Sequence, residues 1–105
     1  MSGDTLREKV TIHVNPHGEV THTVPDIFEI SKEHQQEVIW KIEPRHHNFT
    51  VEFEGASPFY EKKFDKQNSA SGLVRRNVHA DARKVYKYKI RVGGSRLDPG
   101  GIIRR

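Results

Sequence analysis

The 105-residue sequence contains no cysteine, and its only methionine is Met1. The absence of thiols excludes disulfides, thiolate metal sites, iron–sulfur clusters and cysteine nucleophiles. No apolar run approaches the roughly 20 residues that span a bilayer, and the polar N-terminus lacks the apolar region of a secretory signal. We therefore expect no membrane association. The expected location is cytoplasmic as the sequence stands, or extracytoplasmic if a leader has been removed.

The sequence also lacks the apolar spacing of helices. No window repeats apolar residues at i, i+3, i+4 and i+7 over three turns, and one helical turn within residues 58–64 is the most that the pattern allows. Apolar and polar residues instead alternate in about seven short runs separated by turn residues. These runs predict one all-β domain over residues 1–105, with residues 1–8 flexible.

Charge is distributed unevenly along the chain. Residues 1–70 carry 8 Lys or Arg and 12 Asp or Glu, a net charge of −4, whereas residues 71–105 carry 10 and 2, a net charge of +8. Such a split indicates either a polyanion-binding segment or a basic strand beside an acidic one containing Glu52 and Glu54, and both interpretations stay open. The candidate basic patch consists of Arg75, Arg76, Lys87, Lys89 and Arg91.

The arrangement of residues 85–92 favours the second interpretation. The cations of this run alternate with Tyr86, Tyr88 and Ile90. Surfaces that bind single-stranded nucleic acid place aromatic and cationic side chains on the same face, so that bases stack while phosphates are neutralised. We therefore expect a buried aromatic face and a solvated basic face.

Residues 37–53 carry the most specific pattern in the chain. A strand containing Val38 and Trp40 leads to a loop with His47 and Asn48, and Phe53 follows. This order resembles the cupredoxin family, in which a Val-x-Trp strand leads to a loop with a His-Asn pair. In that family the histidine is a copper ligand, and the asparagine beside it ties the ligand loops together.

The strand with Tyr86 and Tyr88 extends the resemblance, because it is similar to the Tyr-x-Tyr strand that precedes the copper loop of cupredoxins. The likeness covers roughly residues 10–103. It implies a Greek-key β-sandwich of about seven strands, in which the strand of Phe53 lies beside the strand of Tyr88. An immunoglobulin-like sandwich is the alternative fold, and it lacks the analogy at His47.

The departures from the cupredoxin pattern concern the copper ligands. The copper cysteine of the family falls two positions after the second tyrosine, where this chain has Ile90, and neither His nor Met follows His79. A blue-copper centre needs two imidazoles, a thiolate and a weak axial ligand. The resemblance therefore implies a cupredoxin-like domain that lacks type 1 copper and takes no cofactor.

Histidines are the remaining candidate metal ligands. His46 and His47 are adjacent, and adjacent side chains of a strand point to opposite faces, so a weak Cu(II) or Zn(II) site would have to recruit His79 or His17. Without metal, we expect His47 and Asn48 to form a hydrogen-bonded loop pair, with Asn48 as a buried partner.

Two further features of the sequence have candidate roles. His13 and His22 are expected to lie diagonally on one face of an N-terminal hairpin, as a solvated pair. The irregular segment of residues 59–78 is long for a loop, and long loops are often functional.

The sequence contains no nucleophile elbow, phosphate-binding glycine loop or HExxH motif, so we expect no enzymatic activity. The predicted role is that of a non-catalytic binding or structural module, a monomer whose partner is another protein. Two alternatives stay open: weak Cu or Zn binding by surface histidines, and polyanion or nucleic-acid binding by the basic C-terminal third. The predicted binding surface is the loop end that would have held copper, formed by the turn of residues 93–101 with His47, Asn48, Arg96 and Asp98.

Overall fold

The computed structural model describes residues 7–105, which form nine strands and no helix. The strands are β1 (Arg7–Val14), β2 (Val20–Val24), β3 (Ile27–Ser31), β4 (Glu37–Glu43), β5 (Thr50–Phe53), β6 (Lys63–Asp65), β7 (Asp81–Val92), β8 (Ser95–Leu97) and β9 (Gly100–Arg104). The all-β prediction is therefore confirmed. The helical turn allowed within residues 58–64 is wrong, because these residues contribute an isolated bridge at Phe59 and the strand β6.

The strands form because apolar residues recur at every second position. In β4, Val38, Trp40 and Ile42 are buried while Lys41 and Glu43 are exposed. The same alternation in β7 buries four side chains on one face and turns lysine and arginine outward, as the sequence predicts. The buried side chains of β7 are Tyr86, Tyr88, Ile90 and Val92.

Two sheets enclose one core. The three-stranded sheet has the order β2-β1-β4, with β1 and β4 parallel. The six-stranded sheet has the order β3-β9-β7-β5-β6, and β8 pairs with the end of β7. A single cluster of buried apolar residues draws on both sheets, so each sheet covers the inner face of the other.

Six aromatic side chains form the centre of this core, with ring centroids of contacting pairs between 5.1 and 6.5 Å apart. We call them the aromatic cluster: Phe28, Trp40, Phe53, Phe59, Phe64 and Tyr88. All six are nearly inaccessible to solvent. Such pairs add packing energy beyond the apolar area that they bury.

One polar group lies inside the aromatic cluster. The indole Nε1 of Trp40 donates a hydrogen bond to the hydroxyl oxygen of Tyr88 at 3.4 Å. Burial raises the pKa of Tyr88 to about 12, an effect that this hydrogen bond only partly offsets, because the charged phenolate would lose its hydration. The tyrosine therefore stays neutral in the folded protein well above the pH at which a solvated tyrosine ionises.

Glycine is required at position 101 by the packing of β3 on β9. Gly101 is the register partner of Phe28, and a Cβ atom built on it would lie 2.1 Å from the phenyl ring. The ring therefore occupies the space that a side chain at position 101 would need. This contact places the aromatic cluster directly against the β9 backbone.

The segment between β6 and β7 covers the edge of β4. The amide of Trp40 donates to the carbonyl of Ser69 at 2.9 Å, and the amide of Ser71 donates to the carbonyl of Val38 at 2.7 Å. The Oγ of Ser71 accepts a bond from the amide of Val38 at 2.8 Å. The middle of the long segment of residues 59–78 is therefore part of the scaffold.

Two other expectations differ from the structure. Strands β6 and β8 are additional to the seven predicted runs, and each has three residues. Of the residues 1–8 that were expected to be flexible, residues 1–6 lie outside the described part of the chain, and Arg7 and Glu8 belong to β1.

Candidate functional site

The loop of residues 44–49 joins β4 to β5 and carries both adjacent histidines. Its backbone turns so that the amide of His47 donates to the carbonyl of Pro44 at 3.4 Å. The rings of His46 and His47 consequently approach to 4.1 Å between centroids, with an interplanar angle of 35°. The expectation that these side chains point to opposite faces is wrong, because they lie in a turn and not in a strand.

Asn48 has no structural role of the predicted kind. Its side chain is exposed and makes no hydrogen bond to any described residue, whereas the next residue, Phe49, is buried and anchors the loop. The expectation that Asn48 is a buried hydrogen-bond partner of the loop is therefore wrong. His46 is exposed and His47 half-buried, so the polar side chains of this loop face solvent.

Ile90 lies in the last third of β7. Its side chain is fully buried, and its register partners are Val51 on β5 and Leu97 on β8. Thr50, two residues after Asn48, pairs with Arg91, the neighbour of Ile90. The position that the resemblance assigns to a copper thiolate is therefore an aliphatic contact in the core.

The described residues hold no group of three or more His, Asp or Glu side chains that could bind a metal ion. His79 lies two residues before β7, whereas the loop of His47 lies beside the far end of that strand, where Thr50 pairs with Arg91. Three positions of β9 separate the partners of Asp81 and Lys87, and four positions of β7 separate Lys87 from Arg91, so at about 3.3 Å per residue these two ends are roughly 20 Å apart. His79 therefore cannot complete a site with His47, and His17 is exposed in the turn after β1.

His13 and His22 form a closer pair than the sequence indicates. They are direct register partners on β1 and β2, so the expected diagonal arrangement is wrong. Their rings stack with centroids 4.6 Å apart and an interplanar angle of 7°. The Nδ1 of His22 also contacts the Oγ1 of Thr21 at 2.9 Å.

The structure separates the four residues of the predicted binding surface. Arg96 pairs with Arg91 near the loop of His47 and Asn48. Asp98 lies further along, between β8 and β9, where its carbonyl oxygen accepts a bond from the Nζ of Lys87 at 2.9 Å. His47, Asn48 and Arg96 therefore belong to one end of the molecule, and Asp98 to the middle of β7.

The predicted basic patch also divides. Lys87, Lys89 and Arg91 lie outward on β7, and Lys89 is the register partner of Glu52, as expected if a basic strand pairs with an acidic one. The Nζ of Lys63 lies 4.0 Å from the same glutamate. The carboxylate of Glu52 therefore partly neutralises the outer face of β7.

Arg75 and Arg76 lie elsewhere. The Nε of Arg75 donates to the carbonyl of Ser57 at 3.0 Å, and Arg75 lines a hollow with Lys84 and Tyr86 at the start of β7. Arg76 is exposed beside Tyr60, whose hydroxyl accepts a bond from the Arg76 amide at 3.2 Å. The five basic residues therefore do not form one continuous patch.

One concavity on the described surface was not predicted from the sequence. It is a cleft of about 400 Å³ along β4, which we call the β4 cleft. It is lined by four cations and one carboxylate, together with Thr11, Ser69 and three residues whose side chains are buried, Trp40, Ile42 and Phe49. The charged lining residues are Lys9, Lys41, Glu43, Arg45 and Lys66.

The parallel pairing of β1 with β4 creates the β4 cleft. Thr11 is the register partner of Lys41, and Lys9 lies two residues earlier on the same outward face. Lys66 approaches from the other side, where its Nζ donates to the carbonyl of Arg45. The alternation in the sequence places Lys9 and Lys41 on the outward faces of their strands, but it does not reveal that these two strands pair.

In comparisons with known proteins, the chain matches no protein-family model, no curated protein and no solved structure. Within residues 7–105, nothing helical is present that could cross a bilayer.

Proposed function

We propose that the chain is a cupredoxin-like Greek-key β-sandwich without type 1 copper, acting as a non-catalytic binding module. The order of its strands supports the likeness to cupredoxins. The strand of Trp40 leads through the loop of His47 and Asn48 to β5, and β5 lies beside the strand of Tyr88, as the family pattern requires. The two sheets and their common core are compatible with a sandwich.

One observation carries the proposal: Ile90, at the position that the resemblance assigns to a copper thiolate, is fully buried, while His46 and Asn48 of the loop of residues 44–49 are exposed. The register partners of Ile90, Val51 and Leu97, are also aliphatic, and the side chains of His46 and Asn48 make no hydrogen bond to a described residue. Loops held on a rigid β scaffold commonly bind partners. This end is therefore suited to binding a partner and lacks the ligand set of an electron-transfer centre.

Weak Cu(II) or Zn(II) binding is the second candidate function, favoured by the two close histidine pairs. The rings of His46 and His47 lie 4.1 Å apart, and those of His13 and His22 lie 4.6 Å apart. Each pair offers two imidazoles without a third ligand among the described residues. Two ligands leave most of the coordination shell to water, so such a site would bind weakly.

Unfolding in the presence of metal distinguishes the two candidates. A ligand that binds only the folded state stabilises it by about 2.7 kcal/mol at a hundredfold excess over its Kd. We expect Cu(II) or Zn(II) at up to about 1 mM, a concentration that would fill even a weak site with a Kd in the micromolar range, to leave the unfolding midpoint of the wild type where it is without metal. A rise that disappears in the double variant His46→Ala/His47→Ala would contradict the metal-free module and favour metal binding.

A further inference from the structure

The β4 cleft concentrates positive charge without ion pairs among the described residues. Four of its lining residues are cations and Glu43 is its single carboxylate, a formal surplus of three positive charges. None of these five side chains forms an ion pair within residues 7–105. By contrast, Arg7, Arg83 and Arg104 each lie within 3.5 Å of a carboxylate.

This accumulation is unfavourable for folding. Lys9 and Lys41 lie diagonally on adjacent strands of one face, and like charges on neighbouring strands repel. Arg45 and Lys66 bring two more cations to the same concavity, where Lys66 is held by the carbonyl of Arg45. An anion in the cleft would relieve this repulsion and make charge-assisted hydrogen bonds to several donors at once.

The cleft distinguishes among anions by its donors and its buried aromatic residues. The guanidinium of Arg45 suits two oxygens of one phosphoryl group, and lysines bind phosphate as point charges. The hydroxyls of Thr11 and Ser69 add neutral donors. Trp40 is 1% exposed and Phe49 4%, so neither ring offers a face on which a nucleobase could stack.

We propose that the β4 cleft binds a short oligophosphate, recognised through its phosphoryl oxygens and with no contact to a base. Three surplus positive charges match an anion of three to four negative charges, and the cleft of about 400 Å³ has room for a chain of a few phosphoryl groups. The anion is either a free inorganic oligophosphate or the phosphate tail of a nucleotide. This inference rests on the proposed binding role, but it does not use the loop residues His46, His47 and Asn48.

The proposal is tested by titrating the ¹⁵N-labelled protein with sodium tripolyphosphate and recording amide shifts and heats of binding. We expect saturable one-to-one binding with shifts in residues 9–11, 40–45 and 66–69. Affinity should fall as salt rises from 50 to 300 mM, because ionic contacts are screened. The absence of saturation at 50 mM salt, or shifts centred outside these residues, would overturn the proposal.

Matched variants separate the cleft from general positive charge. The double variant Lys41→Gln/Arg45→Gln should bind tripolyphosphate about tenfold more weakly or worse, because two charge-assisted contacts are lost. The control Lys89→Gln/Arg91→Gln makes the same charge change on the outer face of β7 and should bind within about twofold of the wild type. An equal loss in the control would show attraction to net charge alone and overturn the site.

ATP and a single-stranded oligonucleotide complete the test. Equal affinities for ATP and tripolyphosphate would support recognition of the phosphoryl chain and admit both sources. ATP binding about tenfold tighter than tripolyphosphate would contradict a cleft without base contacts, and tighter oligonucleotide binding at the same residues would indicate a nucleic-acid surface instead. The tripolyphosphate titration does not involve the loop histidines. Its failure would therefore overturn the oligophosphate site without changing the result of the metal experiment.

Discussion

The aromatic cluster and the loop of residues 44–49 differ in the burial and bonding of their side chains. In the cluster, six rings pack edge to face or tilted, and the indole of Trp40 bonds to Tyr88. In the loop, His46 and Asn48 are exposed and only Phe49 is buried. The cluster therefore contributes stability, while the polar side chains of the loop are exposed to solvent.

This difference bears on how function is inferred in such a fold. A polar residue that stabilises nothing is a stronger candidate for binding than one that holds the scaffold together, because its presence needs another reason. Asn48 satisfies this condition, whereas Ser71, in the long segment of residues 59–78, does not, since it bonds to β4. Substitutions in both regions can test the distinction, and we take them from the largest expected effect to the smallest.

The Trp40→Ala substitution should have the largest effect. It removes the side chain that contacts four other members of the aromatic cluster and leaves a cavity, which should lower the free energy of unfolding by about 3–5 kcal/mol. Urea unfolding measures the change. The control Leu73→Ala removes an apolar side chain that is 50% exposed and should cost less than about 1 kcal/mol. Similar losses in both variants would contradict the central role of the cluster.

High pH should weaken the cluster through Tyr88. The pKa of Tyr88 is about 12 in the folded state and about 10 in the unfolded chain. Below pH 10 the side chain is therefore neutral in both states, and its contribution to the free energy of unfolding is fully present. Between pH 10 and 12 the unfolded chain ionises first, and about 3 kcal/mol of stability should be lost. Urea unfolding at several pH values measures the slope.

The variants Tyr88→Phe and Tyr60→Phe identify the group responsible for this slope. Tyr88→Phe should flatten the decline above pH 10, whereas Tyr60→Phe, at a side chain that is 70% exposed, should keep it. An unchanged alkaline slope in Tyr88→Phe would show that other groups cause the loss. In that case the buried hydroxyl would not contribute to the pH dependence.

The Gly101→Ala substitution tests how tightly the cluster packs against β9. The added methyl group would meet the ring of Phe28 at 2.1 Å, and the resulting displacement should cost about 1–3 kcal/mol. Gly94→Ala is the matched control, because a Cβ at that position meets no atom within 4 Å. If calorimetry gave both variants the same melting temperature, the close approach of Phe28 to Gly101 would be refuted.

The Asn48→Ala substitution should have the smallest effect. An exposed side chain without a bonded partner should change the free energy of unfolding by less than about 0.5 kcal/mol. Urea unfolding, compared with the wild type under the same conditions, checks this value. A loss above about 1 kcal/mol would show that Asn48 stabilises the fold, which would contradict the difference between the loop and the cluster.

The sequence predicts the core better than the surface because the core has a local signature. Alternation in residues 38–42 and 85–92 reveals the buried face directly, since side chains of a strand alternate between its two sides. Strands β6 and β8 escape this method because three residues are too few to establish a period. The all-β class is therefore visible in the sequence, and the number of strands is not.

Surface sites depend on pairings that the sequence does not display. Lys9, Lys41 and Lys66 are far apart in the chain and meet only because β1 lies parallel to β4 and the chain after β6 returns along its edge. They also belong to the part of the chain with a net negative charge, so composition pointed to the C-terminal third instead. His46 and His47 were misplaced because a turn replaces the strand geometry expected there.

The proposal that this chain is a cupredoxin-like module without type 1 copper predicts that its loop end binds no metal ion and is available to a partner. The most direct test is an amide NMR titration with Cu(II) and then Zn(II), added in steps below one equivalent. The account predicts weak changes without saturation, scattered over several of the seven histidines. Saturating changes confined to His47, Asn48 and the turn at Gly93 would contradict it, because they would show a metal site at that end.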